Sequence, residues 1–257
     1  MNSTSISKKI LEVKDLTISF NFSRYQSKSL KDLSLDFIKS PVRFFFNRPK
    51  KVEILKKISF DLRNGERLGF LGINGVGKTT LCRTISGMYG DKDGIIVNGT
   101  TRAIFDTESV IQPELSGKEN AWIITNIIYS HLSKVERAEI VEESLEFSEL
   151  HQYINSPFKI YSKGMKVRLF LSIVSAKPCD LLILDEVFNG GDEFFNEKVS
   201  SRIKKVIEGS GAVLFISHDK ETVRSICNRV IVLGEHRILF DGDVNEGIDF
   251  YVDKFSE

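Results

Sequence analysis

Apolar and polar residues alternate in the first part of the chain, as they do along a strand with one buried face. Residues 10–20, ILEVKDLTISF, show this alternation most clearly. Two further apolar-rich segments, 53–61 and 67–71, are separated by Asn64-Gly65, a dipeptide typical of tight turns. These patterns predict three strands in a small, largely antiparallel sheet.

After Gly72 the pattern changes to helical periods that alternate with short, wholly apolar runs. The predicted helices are residues 78–88, 115–130, 134–150 and 165–176. The runs LLILD (181–185) and AVLFIS (212–217) are typical of parallel strands that are buried on both faces. The tail, 230–242, returns to a strand–turn–strand pattern. Strands that alternate with helices predict an α/β fold built on a parallel sheet.

Composition narrows the function classes. The chain has 257 residues, 41% of them hydrophobic, which suits one fairly large domain or a domain with small appendages. Its 36 basic and 35 acidic residues argue against wholesale nucleic-acid binding, but not against a local basic patch. Cys82, Cys179 and Cys227 lack metal-ligand spacing and fit a reduced compartment. The N-terminus shows no secretory-signal pattern, and no apolar run approaches the roughly 20 residues that span a bilayer.

Residues 21–52 are the unusual segment of the N-terminal region, because basic residues there surround Phe37 and Phe44–Phe46. Two interpretations stay open. The segment is either an exposed loop with one helical turn packed on the domain, or a basic, aromatic surface. Such a surface would lie at lipid headgroups or against a membrane-embedded partner.

A glycine-rich loop joins the predicted strand that ends at Leu71 to the predicted helix 78–88. Its sequence, GINGVGKT over Gly72–Thr79, matches the phosphate-binding pattern G-x-x-x-x-G-K-[ST]. Glycines let backbone N–H groups bend around phosphate oxygens, and the helix N-terminus adds partial positive charge. Lys78 can contact the β and γ phosphates of a nucleotide, and the Thr79 hydroxyl can ligate Mg²⁺. The predicted nucleotide-binding residues of this loop are Gly72, Asn74, Gly75, Gly77, Lys78, Thr79 and Thr80.

Two acids and a histidine follow the buried strands, at the edge where a parallel sheet places its ligand chemistry. Asp185 is placed to hold Mg²⁺ through water, and Glu186 to polarise the water that attacks the γ-phosphate. Alone, these acids could be an exposed strand end, but the phosphate loop before them favours the catalytic interpretation. His218 follows AVLFIS. A lone histidine is more often structural, but beside the acidic strand it becomes a candidate γ-phosphate contact.

The segment YSKGM, Tyr161–Met165, stands where the last predicted helix begins. The order of phosphate loop, YSKGM, LLILDE and ISHD resembles that of the ATP-binding cassette (ABC) ATPases, over residues 10–245. In that family the loop usually reads LSGGQ and closes over ATP bound to the partner subunit's phosphate loop. The resemblance implies that Ser162 and Gly164 contact nucleotide in this way, through a hydroxyl and a close backbone approach. Lys163 replaces a glycine, and the sequence leaves open whether it faces nucleotide or solvent.

The resemblance also implies a fold: an α/β P-loop NTPase of the ABC ATPase type, in one nucleotide-binding domain over residues 1–257. Its parts would be an antiparallel β subdomain, a RecA-like parallel-sheet core and an α-helical signature subdomain. They would comprise, in that order, residues 10–71 with the insertion 21–52, residues 72–112 with 177–245, and residues 113–176. A C-terminal carbohydrate-binding domain, which some O-antigen exporters append, is not expected.

Further residues gain a role only through the resemblance. A head-to-tail dimer would hold two ATP molecules, and Asp192 in GGD would lie where the family's D-loop crosses the interface. Phe20 matches the aromatic residue that stacks on adenine, with Phe22 and Tyr25 as alternatives.

The family's Q-loop glutamine, which contacts Mg²⁺ and senses the membrane subunit, has no clear counterpart. Asp106 stands near its place and is the predicted substitute, with Thr107 and Gln112 as alternatives.

Among cassettes, YSKGM followed by VRL, and then DEVFNGGD, resembles the ATPases of capsule, O-antigen and teichoic-acid exporters. The resemblance implies an ATP-hydrolysing, Mg²⁺-dependent homodimer, peripheral at the cytoplasmic face of the cell (inner) membrane. It would drive a separate integral membrane permease that exports a lipid-linked glycan, without a nucleic-acid partner. The alternatives are an importer, a lipid or drug exporter, a catalytically inactive cassette, or an ABC ATPase acting on DNA or ribosomes. The missing heptad repeat between Lys78 and Ser162 argues against the chromosome type.

Overall fold

The computed structural model describes residues 8–22, 50–90, 93–105, 111–185, 201–202, 204–217 and 219–255. The strands are β1 (Lys9–Phe22), β2 (Lys50–Arg63), β3 (Arg67–Leu71), β4 (Ile95–Val97), β5 (Thr101–Ile104), β6 (Leu181–Asp185), β7 (Ala212–Ile216), β8 (Arg229–Gly234) and β9 (Arg237–Asp243). The α-helices are α1 (Lys78–Ile85), α2 (Gly117–Ile128), α3 (Lys134–Ser148), α4 (Lys163–Val174), α5 (Lys220–Ile226) and α6 (Val244–Phe255). Residues 201–202 and 204–209 are also helical.

The strands form two sheets. A three-stranded antiparallel sheet has the order β2-β1-β4. A six-stranded sheet has the order β5-β6-β7-β3-β8-β9, and all its neighbours are parallel except β8 and β9. The predicted α/β fold with a parallel sheet and a smaller antiparallel sheet is confirmed.

The predicted membership of β3 in the antiparallel sheet is wrong. This strand lies inside the six-stranded sheet, where its Phe70 pairs in parallel with Ile216 of β7 and Ile231 of β8. Residues 68–71 are all buried, which is the signature of a central parallel strand. The turn at Asn64-Gly65 therefore carries the chain from one sheet to the other. Strand β4, from the stretch predicted as core, joins the antiparallel sheet instead.

Strands β1 and β2 reach into the segment predicted as an insertion. Phe20 pairs with Val52 and Phe22 with Lys50, so both ends of residues 21–52 continue the antiparallel ladder. Residues 23–49 lie outside the described residues.

The parallel sheet is buried on both faces because alternate side chains of its central strands enter two different cores. On β6, Leu182 and Leu184 pack with helices α2, α3 and α4, whereas Leu181 and Ile183 pack with α1 and the antiparallel sheet. The helices that begin with the phosphate loop and with the YSKGM segment thus lie on opposite faces of one sheet. None of the helices in the described part combines the length and apolar character needed to cross a bilayer.

Candidate nucleotide-binding site

The phosphate loop leaves β3 at Leu71 and enters α1 at Lys78. Its three glycines all have positive φ, which is 151° at Gly72, 79° at Gly75 and 109° at Gly77. A Cβ at Gly72 would lie 2.6 Å from the Leu233 carbonyl oxygen, and one at Gly77 would lie 2.8 Å from Ile54 Cγ2. Both glycines are therefore required by the backbone angle and by close neighbours within this chain. The loop is held between the end of β8 and strand β2.

Lys78 is the first residue of α1 and is only 7% exposed. Its Nζ donates to the carbonyl oxygens of Gly72 (2.6 Å) and Ile73 (3.2 Å), so the ammonium group spans the loop. The first turn of α1 contains no acidic residue. A helix N-terminus, a buried ammonium group and the half-buried side chains of Thr79 and Thr80 thus meet at one place, which suits a polyphosphate.

Asp185 ends β6 beside Ile216 of β7, at the carboxyl edge of the sheet. It lies close enough to α1 to influence Cys82. The pKa of that thiol is raised well above its ordinary value, first by complete burial and then by the negative charge of Asp185. The structure therefore brings the predicted Mg²⁺ ligand Asp185 near the helix that carries Thr79.

Asn74 and Gly75 form the exposed outer side of the loop. A Cβ at Gly75 would meet no atom of the described residues within 4 Å. None of these residues therefore blocks the approach of a bound group to this side of the loop.

Phe20, the predicted adenine-stacking residue, lies half-buried near the end of β1. Its ring meets the Tyr89 ring edge to face, with centroids 5.4 Å apart and an interplanar angle of 80°. Tyr89 lies in the turn after α1, which ends at Ile85, and is partly exposed, so the pair forms an aromatic surface next to the phosphate-loop helix. The alternative Phe22 has no described side chain, and Tyr25 lies outside the described residues.

The YSKGM segment forms the start of α4. Ser162 is the N-cap, and its hydroxyl accepts a hydrogen bond from the Met165 backbone N–H at 3.2 Å. Lys163 is exposed at the first helical position. Among the described residues, the only atom within 4 Å of a Cβ at Gly164 would be Ser162 Oγ, at 3.9 Å. No neighbour in the described part of the chain therefore requires a glycine at position 164.

Tyr161 anchors this loop to the neighbouring helices. Its hydroxyl donates to the Tyr153 carbonyl oxygen (2.6 Å), and its ring stacks on Phe158 with centroids 4.8 Å apart. Burial raises the pKa of Tyr161, which keeps the hydroxyl protonated as a donor. A Cβ at Gly117 would lie 2.0 Å from that hydroxyl oxygen, so the glycine that opens α2 leaves room for the tyrosine.

The sequence interpretation missed Tyr161, Gly117 and Asn120 as supporting residues. Asn120 is fully buried; its Oδ1 accepts from the Gln112 backbone N–H (2.8 Å), and its Nδ2 donates to the Gln112 carbonyl oxygen (3.0 Å). The side chain of Gln112 itself is exposed. The capping pattern that starts at Ser116 was the available signal, because it places Asn120 in the first turn of α2.

Several predicted site residues lie outside the described residues. They are Glu186, His218, Asp192, Asp106 and Thr107. Their roles stay predictions.

A parallel sheet with a G-x-x-x-x-G-K-T loop between a central strand and the next helix defines a P-loop nucleotide-binding protein. Residues 55–189, more than half of the chain, match the ABC transporter family model. The chain belongs to the ABC transporter family, and the resemblance drawn from its motifs is confirmed.

Two relatives show which members of the family the chain is similar to. The O-antigen export system ATP-binding protein RfbE of Yersinia enterocolitica is 34% identical over 89% of this chain and 95% of its own length. The teichoic acids export ATP-binding protein TagH of Lactococcus lactis is 32% identical over 94% of this chain, but over only 50% of its own length.

Solved structures support the fold. The ATP-binding subunit of an ABC transporter superposes with a TM-score of 0.67, over 96% of this chain and all of that chain, at 22% identity. A dimeric ATP-binding cassette, solved in a post-hydrolysis state with ADP and Pi, gives a TM-score of 0.66 over 91% of this chain and 99% of that one, at 18% identity.

Proposed function

We propose that this chain is the ATP-binding and ATP-hydrolysing subunit of an exporter for a lipid-linked polysaccharide of the capsule, O-antigen or teichoic-acid type. The observation that carries this proposal is a fully formed phosphate loop in a chain that resembles RfbE over nearly its whole length. The export step itself would need a separate integral membrane subunit. The ATPase would lie peripherally at the cytoplasmic face of the inner membrane.

The residues of the phosphate loop fit ATP. Gly72, Gly75 and Gly77 shape the loop, Asn74 lies on its open side, and the Lys78 ammonium group can exchange its two carbonyl contacts for phosphate oxygens. The exchange needs little rearrangement, because the ammonium group already lies within the loop. The ring of Phe20, backed by Tyr89, offers an aromatic face for adenine.

The donor set around the loop fits Mg²⁺, which prefers oxygen ligands. The Thr79 hydroxyl and the Asp185 carboxylate would hold the ion, and Asp106 is the third proposed contact. Bound Mg²⁺ would neutralise negative charge on the β and γ phosphates.

Three side chains would then act on the γ-phosphate. Lys78 would stabilise its charge, Glu186 would orient and polarise the attacking water, and His218 would contact a γ-phosphate oxygen. Since phosphoryl transfer depends mainly on position and charge, each of these residues would act without a covalent intermediate.

The second half of the site would come from another copy of the chain. This proposal is supported by Gly164, because a Cβ there would meet only Ser162 Oγ, at 3.9 Å, among the described residues. A surface that approaches from another protomer would explain why this position has no side chain. Ser162 and Gly164 of one protomer would cover the nucleotide held by the partner's phosphate loop, with Asp192 at the same interface. The functional unit would be a homodimer with two ATP molecules, without a nucleic-acid partner.

The experiment has a biochemical arm and a cellular arm. The purified chain should hydrolyse ATP, and Glu186→Gln should abolish hydrolysis and trap an ATP-bound dimer in gel filtration. In cells, replacing the native chain by Lys78→Met should remove the surface polysaccharide while the lipid-linked glycan accumulates inside. A Lys78→Met strain with normal surface polysaccharide would exclude the export function, whatever the ATPase result.

A further inference from the structure

Two arginines close the C-terminal end of α4, the helix that begins at the YSKGM segment. The last carbonyls of an α-helix have no partner within the helix and carry partial negative charge. Arg102, on the edge strand β5, donates from Nη1 to the carbonyl oxygens of Val174 (3.3 Å) and Lys177. Arg202 donates from Nε to the Ser175 carbonyl oxygen (3.0 Å). Both donors come from elements other than α4.

Each guanidinium group also lies over an aromatic ring of a neighbouring helix. Arg102 Cζ is 4.4 Å from the ring centroid of Tyr129, the C-cap of α2, and Arg202 Cζ is 4.2 Å from that of Phe147 in α3. The Tyr129 hydroxyl donates to the Ile173 carbonyl oxygen (2.8 Å), so the ring itself is fixed to α4. The ends of three helices and the edge of the sheet therefore meet at these side chains.

The Arg102 guanidinium group and the Tyr129 ring are both buried, so their contact must satisfy a charged group away from water. Arg102 is 4% exposed and Tyr129 is fully buried, and Arg102 Nε has no hydrogen-bond partner among the described residues. A guanidinium group at such depth is costly unless its other donors are well used, and an apolar residue would fill the same space more cheaply. The arginine provides what an apolar side chain cannot, namely directional bonds to the helix end and a planar face for the ring.

The position of these contacts connects both halves of the proposed site. Arg102 pairs with Leu182 on β6, the strand that ends in Asp185, while its side chain bonds the end of α4. We propose that Arg102 and Tyr129 are positioning residues that fix the tilt of α4 against the sheet. By that route they would set where Ser162 and Gly164 meet the partner's nucleotide. This inference rests on the proposed function, in which the YSKGM segment contacts the nucleotide bound by the partner protomer.

The geometry of α4 makes small tilts important. The helix has 12 residues, so its N-terminus lies about 18 Å from the arginine contacts. If α4 tilts by about 10° around its C-terminal end, Ser162 at the other end moves by about 3 Å. A hydrogen bond to nucleotide fails at that displacement, since its length varies by only about 0.5 Å. Loosening the C-terminal end should therefore impair the trans contact without touching the phosphate loop.

The test measures two affinities in the Glu186→Gln background of the full chain. The first is nucleotide affinity of the single protomer, measured with a fluorescent ATP analogue at high dilution. The second is the ATP concentration at the midpoint of dimer formation, measured by analytical ultracentrifugation. For Arg102→Met we expect an unchanged protomer affinity and a midpoint raised about tenfold, as for the loss of a buried charged hydrogen bond. Tyr129→Phe removes only the hydroxyl bond and should raise the midpoint about two- to threefold.

Arg229→Met is the matched control. Arg229 is a partly buried arginine whose Nε and Nη2 each bond Asp241 at 2.7 Å, and it joins β8 and β9 away from α4. Its loss should lower Tm but leave the dimerisation midpoint unchanged. If Arg102→Met fails to fold, Tyr129→Phe alone decides the outcome.

The possible failures are distinguishable. If the Glu186→Gln chain binds ATP but does not dimerise, the proposed trans site is overturned before the positioning residues are tested. If it dimerises, and Arg102→Met and Tyr129→Phe lower Tm without moving the midpoint, then the contact only stabilises the fold and the inference is overturned. The inference would also be overturned if a variant lost nucleotide affinity in the single protomer by the same factor as it raised the dimerisation midpoint. In that case α4 would affect the phosphate loop directly.

Discussion

The phosphate loop and the YSKGM segment begin alike and differ in how their surroundings complete them. Among helices α1–α6, only α1 and α4 have first turns without an acidic residue, and both begin with a lysine. Helices α2 and α3, by contrast, carry Glu119 and Glu136 in capping boxes. Without an acidic side chain in the first turn, the partial positive charge of the helix N-terminus is not neutralised. This is the arrangement expected where a helix binds an anion.

The two regions differ in what already surrounds them. Lys78 is buried and bonds its own loop, and Gly77 is crowded by Ile54. Lys163 is exposed, and a Cβ at Gly164 would meet only Ser162 Oγ, at 3.9 Å, among the residues that the structure describes. The phosphate loop is thus explained by contacts within the chain, whereas no contact among the described residues explains the glycine of the YSKGM segment. Under the proposed function, the phosphate loop is the half of the site that one protomer forms by itself, and the YSKGM segment is the half that needs a second protomer.

The largest expected effect tests the half of the site at the phosphate loop. Lys78→Met removes the ammonium group from the loop but keeps an unbranched side chain of similar length. We expect ATPase activity to fall about 10²- to 10³-fold, as when a single charge-stabilising group is removed from an active site. Steady-state hydrolysis and equilibrium nucleotide binding measure this loss. Activity within twofold of the native chain would show that the loop does not act on phosphate.

A pair of N-cap substitutions tests the half of the site at the YSKGM segment. The hydroxyls of Ser162 and Ser133 accept equivalent capping hydrogen bonds, at 3.2 and 3.3 Å, from the backbone N–H groups of Met165 and Glu136. Changing either serine to alanine should cost about 1 kcal/mol of stability. Only Ser162→Ala should also lower ATPase activity, by about tenfold or more, through a lost contact to charged phosphate. Equal activities of the two variants would mean that Ser162 acts as a cap alone.

A pair of glycine substitutions should separate stability from activity. Gly77→Ala puts a Cβ at a left-handed backbone angle and against Ile54, so it should lower the free energy of unfolding by about 2 kcal/mol or more. Gly164→Ala clashes with none of the described residues and improves helix propensity, so it should raise that free energy by about 0.5–1 kcal/mol. Gly164→Ala should nevertheless weaken ATP-driven dimerisation. Chemical denaturation and sedimentation distinguish the two effects, and a Gly164→Ala chain that dimerises normally would contradict a close approach at this position.

The sequence alone predicts the phosphate loop, but not every strand or contact that supports the two regions. The phosphate loop has a fixed spacing between a buried strand and a helix, so pattern and context agree. The pattern predicts the wrong sheet for the run RLGFL at β3, because the tight turn at Asn64-Gly65 suggests that the run continues the antiparallel sheet. The continuous apolar character of the run is the signal that favours a central parallel strand instead. Periodicity could not have found Arg102 or Tyr129, since their partners are carbonyl oxygens 44 to 75 residues away in sequence.

The smallest expected effect concerns the charge at the start of α4. Lys163→Glu replaces a cation by an anion at the first helical position, which the helix dipole favours by about 0.3–1 kcal/mol. The free energy of unfolding should therefore rise slightly. Dimerisation with ATP should weaken about two- to fivefold at low salt and less at high salt, because an exposed charge is screened within about 10 Å at 0.1 M ionic strength. This salt dependence separates a charge that faces phosphate from one that faces solvent.

Lys134→Glu provides the control for Lys163→Glu, because Lys134 is also an exposed lysine at the first position of a serine-capped helix. Lys134→Glu should change the free energy of unfolding about as much as Lys163→Glu does, apart from repulsion by Glu136. It should leave the ATP concentration at the midpoint of dimer formation unchanged at every salt concentration. If both variants shift the midpoint equally, the effect is a change in net charge of the whole protomer. If neither does, Lys163 faces away from the nucleotide, and the field of α4 acts through Ser162 and the backbone N–H groups alone. Of the two lysines that begin α1 and α4, only Lys78 would then bind phosphate.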